Sequence, residues 1–148
     1  MAVTFSGYVD MHVEPVTIAS ATLPGLGLSY DANGVLVPGG SRVDAILLSE
    51  IVSDQEMQNR AFIYQDIDWS YYARVGENPT VVKGFKGQNA TGLKMIANAG
   101  AVAKGEALIM DSDTGTWKKN PTQGTGDMAI ALEAIAANAT FSGLVHIL

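Results

Sequence analysis

The chain reads as mainly β: a small β-barrel or sandwich with an extended N-terminal arm and one short helix. Three observations predict this. Residues 3–13 alternate strictly, a capping box opens a single helix at Ser53, and short apolar segments separated by Gly, Asn and Asp turns fill the chain from Thr80 onward.

The alternation places Val3, Phe5, Val9, Met11 and Val13 on one face and Thr4, Ser6, Tyr8, Asp10 and His12 on the other. A period of two over that length predicts one half-buried strand or an extended arm. Pro15 ends or kinks it, and Val16–Leu23 continues until Pro24-Gly25 stops the run. The chain therefore divides into an arm, 1–23, and a compact β domain, 24–148.

Asn33-Gly34 between Leu28-Ser-Tyr30 and Val35-Leu-Val37 predicts a type I′ hairpin, a turn with positive φ at both central residues. Val43–Val52 is a nearly continuous apolar run whose periodicity fits a buried strand or a helix equally. In Ser53-Asp-Gln-Glu56 the Ser and Glu side chains can satisfy each other's free backbone amides, so a short helix is expected over about 54–61. Strands are expected at 80–86, 92–98, 107–111, 115–119, 128–135 and 140–147, with no internal repeat.

Composition narrows the function. The 148 residues contain no cysteine, which excludes disulfides and thiolate metal sites. Nine basic residues against fifteen acidic give a net charge of −6, and only Lys118-Lys119 are adjacent cations. Such a surface does not neutralise phosphates, so nucleic acid is not an expected partner. Charged residues make up 16% of the chain, below the usual ~25%, while 47% are hydrophobic, which fits a surface covered by partners. No run approaches the ~18 apolar residues of a membrane span, and no signal-peptide pattern opens the chain, so no membrane role is expected.

No constellation of residues marks a reaction, a cofactor or a metal. Asp111-Ser-Asp-Thr-Gly115 has the acids of a calcium loop but carries Gly one place early and Thr122 where a bidentate Glu belongs, so it reads as a hairpin turn. Gly25-Leu-Gly-Leu and Gly84-Phe-Lys-Gly87 lack the strand–loop–helix context of a phosphate cradle. His12 and His146 have no nucleophile or orienting acid at recognisable spacing. Asp66 and Asp68 could pair as carboxylates on one strand face, although a solvated edge explains them as well. Lys94 invites comparison with carrier domains that present a modified lysine, but no Glu-Ala-Met precedes it. Val43-Asp44 likewise lacks the flanking Gly and Tyr of the substrate hairpin in trimeric nucleotide hydrolases. The aromatic cluster Phe62, Tyr64, Trp69, Tyr71 and Tyr72 serves equally as core or as an exposed protein anchor.

Two segments carry a family likeness. Ala99-Gly-Ala-Val-Ala-Lys-Gly-Glu-Ala-Leu-Ile-Met-Asp111 is followed, after a Gly-turn strand, by Met128-Ala-Ile-Ala-Leu-Glu-Ala-Ile-Ala136 and a closing Gly-Leu-Val-His-Ile-Leu148. This pattern resembles the tailed-phage capsid decoration, or cement, proteins, most clearly over 80–148. Met128 stands where that pattern often has glycine. The resemblance implies a β-tulip-like body that forms a homotrimer at the local threefold axes of an expanded icosahedral shell. It implies the major capsid protein and the chain itself as partners, no cofactor, synthesis in the host cytoplasm and a final place on the outer surface of the virion. It also implies an N-terminal segment reaching onto the shell. The candidate contact residues are then Val3, Phe5, Tyr8, Val9 and Met11 on the arm, together with Phe62, Tyr64, Trp69, Tyr71 and Tyr72.

Overall fold

Short strands and one helix form wherever the chain has four or fewer uninterrupted extended residues between turn-formers. The computed structural model describes residues 3–63 and 72–148. In chain order the elements are β1 (Thr4–Phe5), β2 (Asp10–Val13), β3 (Gly27–Tyr30), β4 (Leu36–Pro38), β5 (Ala45–Leu47), β6 (Glu50–Val52), α1 (Asp54–Ile63), β7 (Tyr72–Arg74), β8 (Thr80–Lys83), β9 (Asn89–Thr91), β10 (Ala107–Met110), β11 (Trp117–Lys119), β12 (Ala129–Ala131) and β13 (Val145–Ile147).

Two antiparallel sheets stack face to face. One has six strands in the order β1-β9-β13-β12-β10-β11, the other five in the order β2-β8-β5-β3-β4, and β6 and β7 form a separate parallel pair. Neither sheet closes on itself, so the architecture is a sandwich and the barrel expectation is set aside. The interior between the sheets is built from Ile46 and Val82 on one side and Leu108, Trp117, Ala129, Val145 and Ile147 on the other. A second apolar cluster covers the opposite face of the five-stranded sheet, where Leu28, Leu36, Ala45, Leu47 and Val81 meet Ile51, Ala73, Val16 and Ile18. Both faces of β5 and β8 are thus buried, which is why Val43–Val52 shows no alternation. In such strands residues on both sides must be apolar.

The helix begins as the sequence requires. The Glu56 amide donates to Ser53 Oγ at 3.2 Å and the Met57 amide to the Ser53 carbonyl at 3.0 Å. Glu56 completes an i,i+4 ion pair with Arg60 at 2.9 Å, so its carboxylate faces along the helix.

The Asn33-Gly34 turn differs from the type I′ expectation. Gly34 has φ 76°, but Asn33 is not among the described residues with positive φ. The Asp31 carboxylate accepts the Asn33 and Val35 amides at 2.8 and 3.0 Å, and the Gly34 amide donates to the Asp31 carbonyl at 3.1 Å. Asp31 therefore organises a longer loop in which only the glycine needs the left-handed region. The expected strand 92–98 is also absent as such. Leu93 and Met95 are buried, and the chain there threads between elements with isolated bridges of Lys94 to Phe141 and Met95 to Trp117.

Residues 3–13 form two strands instead of one. β1 pairs with β9 on the six-stranded sheet, and β2 pairs with β8 on the five-stranded sheet. The chain changes sheets at Ser6–Val9, where Gly7 sits against the Gln88 carboxamide.

Backbone contact fixes how closely the sheets approach. The Gly27 amide donates to the Gly115 carbonyl at 2.8 Å, and the Gly40 amide to the Ser112 carbonyl at 2.9 Å. These bonds tie the β3–β4 hairpin to the β10–β11 hairpin. A Cβ on Gly27 would lie 2.2 Å from Met110 Sδ, and one on Gly115 would lie 2.5 Å from the Gly27 carbonyl oxygen. Gly115 also has φ 77°, whereas Gly34, with φ 76°, has nothing within 4 Å of its hypothetical Cβ. Alanine at either position meets the left-handed penalty of about 1–2 kcal/mol; at Gly115 overpacking adds about 1–3 kcal/mol more. Urea unfolding of G34A and G115A should therefore separate the two by at least ~1 kcal/mol. Equal losses would show that the inter-sheet approach is not fixed at Gly115.

Candidate interaction surface

The two-strand strap at residues 3–13 has an inner side that belongs to the core and an outer side that does not. Val3 is buried, and Phe5 and Val9 pack on the inter-sheet cluster, with the Phe5 and Phe85 rings 6.4 Å apart at 31°. Polar side chains fasten the crossing between the sheets. Gln88 Oε1 accepts the Gly7 amide at 2.9 Å, Ser6 Oγ accepts the Asn89 amide at 3.0 Å, and the Thr4 and Thr91 hydroxyls bond to each other.

Beyond Val9 the alternation continues but the cover ends. Met11 is paired with Val82, and cross-strand partners share a face, so Met11 and Val13 point to the same side as the inter-sheet core. β2 is an edge strand, however, and the six-stranded sheet does not reach over it. Met11 is 66% exposed, Val13 69% and Tyr8 101%. Three of the most exposed large hydrophobic side chains thus fall within six residues, beside a sheet edge whose outer backbone groups have no neighbouring strand. Contiguous apolar exposure of this kind marks an interaction site, and an open edge can accept a further strand.

A charged latch holds this strap immediately after β2. Tyr30 Oη donates to Glu14 Oε1 at 2.6 Å, and Lys83 Nζ donates to Glu14 Oε2 at 2.9 Å and to Tyr30 Oη. Burial would raise the Glu14 pKa, but the hydrogen bonds from Tyr30 and Lys83 outweigh it and hold the carboxyl below its usual range. The Lys83 ammonium is correspondingly raised, first by Tyr30 and then by Glu14.

Of the residues expected to make contacts, Tyr8 and Met11 are at the surface, while Val3, Phe5 and Val9 are largely taken up by the core. Tyr64, Trp69 and Tyr71 lie outside the described residues, as does the side chain of Phe62. Tyr72 is half-buried beneath Arg60, whose guanidinium carbon is 4.8 Å from the ring centre. That guanidinium also makes a two-pronged pair with Glu50, both bonds at 3.0 Å, which keeps Arg60 firmly protonated. Val13 and the Glu14–Tyr30–Lys83 latch were not singled out in the sequence. Val13 sits in the alternation like any core residue, and the latch joins positions up to 69 residues apart.

The other sites suggested by the sequence resolve into structure. The Asp111 carboxylate accepts the Thr114 hydroxyl at 2.7 Å and the Thr114 amide at 3.0 Å, and it pairs with Lys118 at 3.3 Å. The loop's own donors therefore occupy the carboxylate that a calcium ion would need, and Asp111 titrates below its usual range. His146 Nδ1 is 2.8 Å from Asn89 Oδ1 on the neighbouring strand. Asp66 and Asp68 lie outside the described residues. Lys94 lies in a bridged segment between elements, its carbonyl accepting the Trp117 amide at 2.8 Å. Among the described residues no group of three or more His, Asp or Glu could hold a metal ion, and no helix is long and apolar enough to cross a membrane.

The latch makes a pH prediction. Because the Glu14 pKa is lowered by folding, its stabilisation is present above the unfolded value of about 4.3 and fades as pH falls through the folded one. At pH 7, Glu14→Ala should cost about 1–2 kcal/mol in denaturant unfolding, and the gap to the parent should close between pH 5 and pH 3, roughly the range below the unfolded value. A gap that stays constant across that range would place the stabilisation elsewhere. Against known proteins, the chain matches no family model and no curated protein is similar to it in sequence.

Proposed function

We propose that this chain is a non-enzymatic structural protein that binds the outer surface of an expanded phage capsid, as a homotrimer at threefold sites, and stabilises the shell. The observation that carries the reading is the row Tyr8, Met11 and Val13, exposed beside an open sheet edge on a strap latched to a rigid body. The resemblance of residues 99–148 to capsid decoration proteins supplies the partner, the major capsid protein.

The physics of cementing fits such a surface. A ligand that binds only the mature shell stabilises it by mass action, with no catalytic group required. Tyr8 offers a large area at low entropic cost, with a polar tip that tolerates solvent before binding. The open edge of β2 can add main-chain hydrogen bonds, whose affinity does not depend on sequence. Three copies of one modest contact, presented on a trimer, multiply through effective concentration. The acidic surface has no cation cluster to compete for packaged nucleic acid.

Mixing the purified protein with expanded capsids and with unexpanded procapsids tests the reading. Saturable binding to the expanded form alone, with a raised disruption temperature, supports it, and binding to neither rules it out. A Tyr8→Ser, Met11→Ser double variant should weaken capsid binding by about thirtyfold or more, as expected for hot-spot loss near 2 kcal/mol. The melting temperature of the free protein should change little, because both side chains are in solvent. Equal loss of binding and stability would make the row part of the fold and not of the interface.

A further inference from the structure

We infer that the mouth between the two sheets binds a small aromatic acid carrying a second hydrogen-bond acceptor, of the hydroxybenzoate type. A cleft of about 270 Å³ opens there, next to β13 and away from the exposed row on β2. Val43, Phe85, Met128 and Ile147 give it apolar walls.

Trp117 also lines the cleft, and its side chain is fully buried at 0% exposure. Its indole Nε1–H has no hydrogen-bond partner among the described residues. Native proteins keep few such orphaned donors, and a buried tryptophan N–H ordinarily finds an acceptor. The donor lies at the deep end of the site, because the cations that line the same cleft are at the surface. Arg42 has a 72% exposed side chain, and Lys86 is exposed. Arg42 reaches Asp44 through Nε at 3.1 Å, a contact that leaves its terminal amino groups facing outward for a two-pronged bond. Asp127 borders the cleft as well, but its carboxylate is drawn inward to Asn120 Nδ2 at 2.6 Å and the Gly124 amide at 3.2 Å.

The chemistry of the ligand follows from this polarity. An apolar ring matches the walls, an acceptor at one end meets the indole N–H, and a carboxylate at the other meets Arg42 and Lys86. The volume lies just under the ~300 Å³ at which ordinary ligand sites begin, which limits the ligand to about one ring. The site works on the free protein and does not depend on capsid binding.

The chain has two tryptophans, so a 15N-labelled sample gives two indole N–H resonances, and W69F leaves only that of Trp117. Titration of this variant with 4-hydroxybenzoate should move the remaining resonance saturably. Benzoate, which lacks the second acceptor, should move it less. R42Q/K86Q should weaken 4-hydroxybenzoate binding by about tenfold, the loss expected for charge-assisted bonds. No saturable movement at millimolar ligand would overturn the proposal. Equal movement by benzoate would remove the indole from the site, and unchanged affinity in R42Q/K86Q would remove the cations. Either result also overturns it.

Discussion

The closest approach in the molecule is between two backbones, and the rest of the sandwich is arranged around it. Where the β3–β4 and β10–β11 hairpins touch, Gly27 and Gly115 replace side chains with a direct amide-to-carbonyl bond of 2.8 Å. Side-chain packing alone holds sheets about 10 Å apart and tolerates some sliding. A main-chain bond between sheets does not, so it sets the register in which Met110 and Trp117 meet Ile46 and Val82. The large tryptophan can be fully buried because that register is fixed.

A small sandwich with open edges has two problems, and residues 3–23 answer both. The five-stranded sheet needs its second face covered, and Val16 and Ile18 contribute to that cover beside Ile51 and Ala73. Each sheet also needs its edge closed, and β1 and β2 close one edge apiece. The cost of this economy is exposure at the end of the strap. Once β2 becomes the outermost strand, the alternation that buries Val9 leaves Met11 and Val13 uncovered. A protein with no partner would be expected to place charge there; only Asp10 and His12 on the opposite face do so.

Much of this was legible in local chemistry and little of it in long-range pairing. The mainly β class, the start of α1 at Ser53 and the hairpin around 30–36 each rest on residues within a few positions of one another, where propensity and capping act directly. The single strand at 3–13 was misjudged because alternation reports which side chains share a face, and not which sheet receives them. A change of sheet at Gly7 leaves the pattern intact. Leu93–Met95 fails as a strand for the opposite reason: buried apolar residues were read as extended pairing, while their amides in fact bond to scattered carbonyls at Gly25, Thr140 and Trp117. The Glu14–Tyr30–Lys83 latch had no local signature. Of the candidate surface, Tyr8 and Met11 were visible as a pattern, and their exposure followed only from knowing where the covering sheet stops.

The distribution of charge bears on what kind of partner this surface can take. Arg42, Arg60, Arg74, Lys83, Lys118 and Lys119, six of the nine cations, each sit within 4.0 Å of a carboxylate of the same chain. Pairs that are mostly exposed add little stability in water, but they do neutralise the long-range field of the groups involved. The net −6 is then spread over the remaining acids with no counter-patch of cations to steer an acidic partner. Recognition along β2 is left to shape, apolar burial and main-chain pairing. Such contacts are weakly screened by salt and reward a partner that presents an exposed strand or an apolar groove. A regular protein lattice offers that repeatedly, and a soluble small molecule or a nucleic-acid backbone does not.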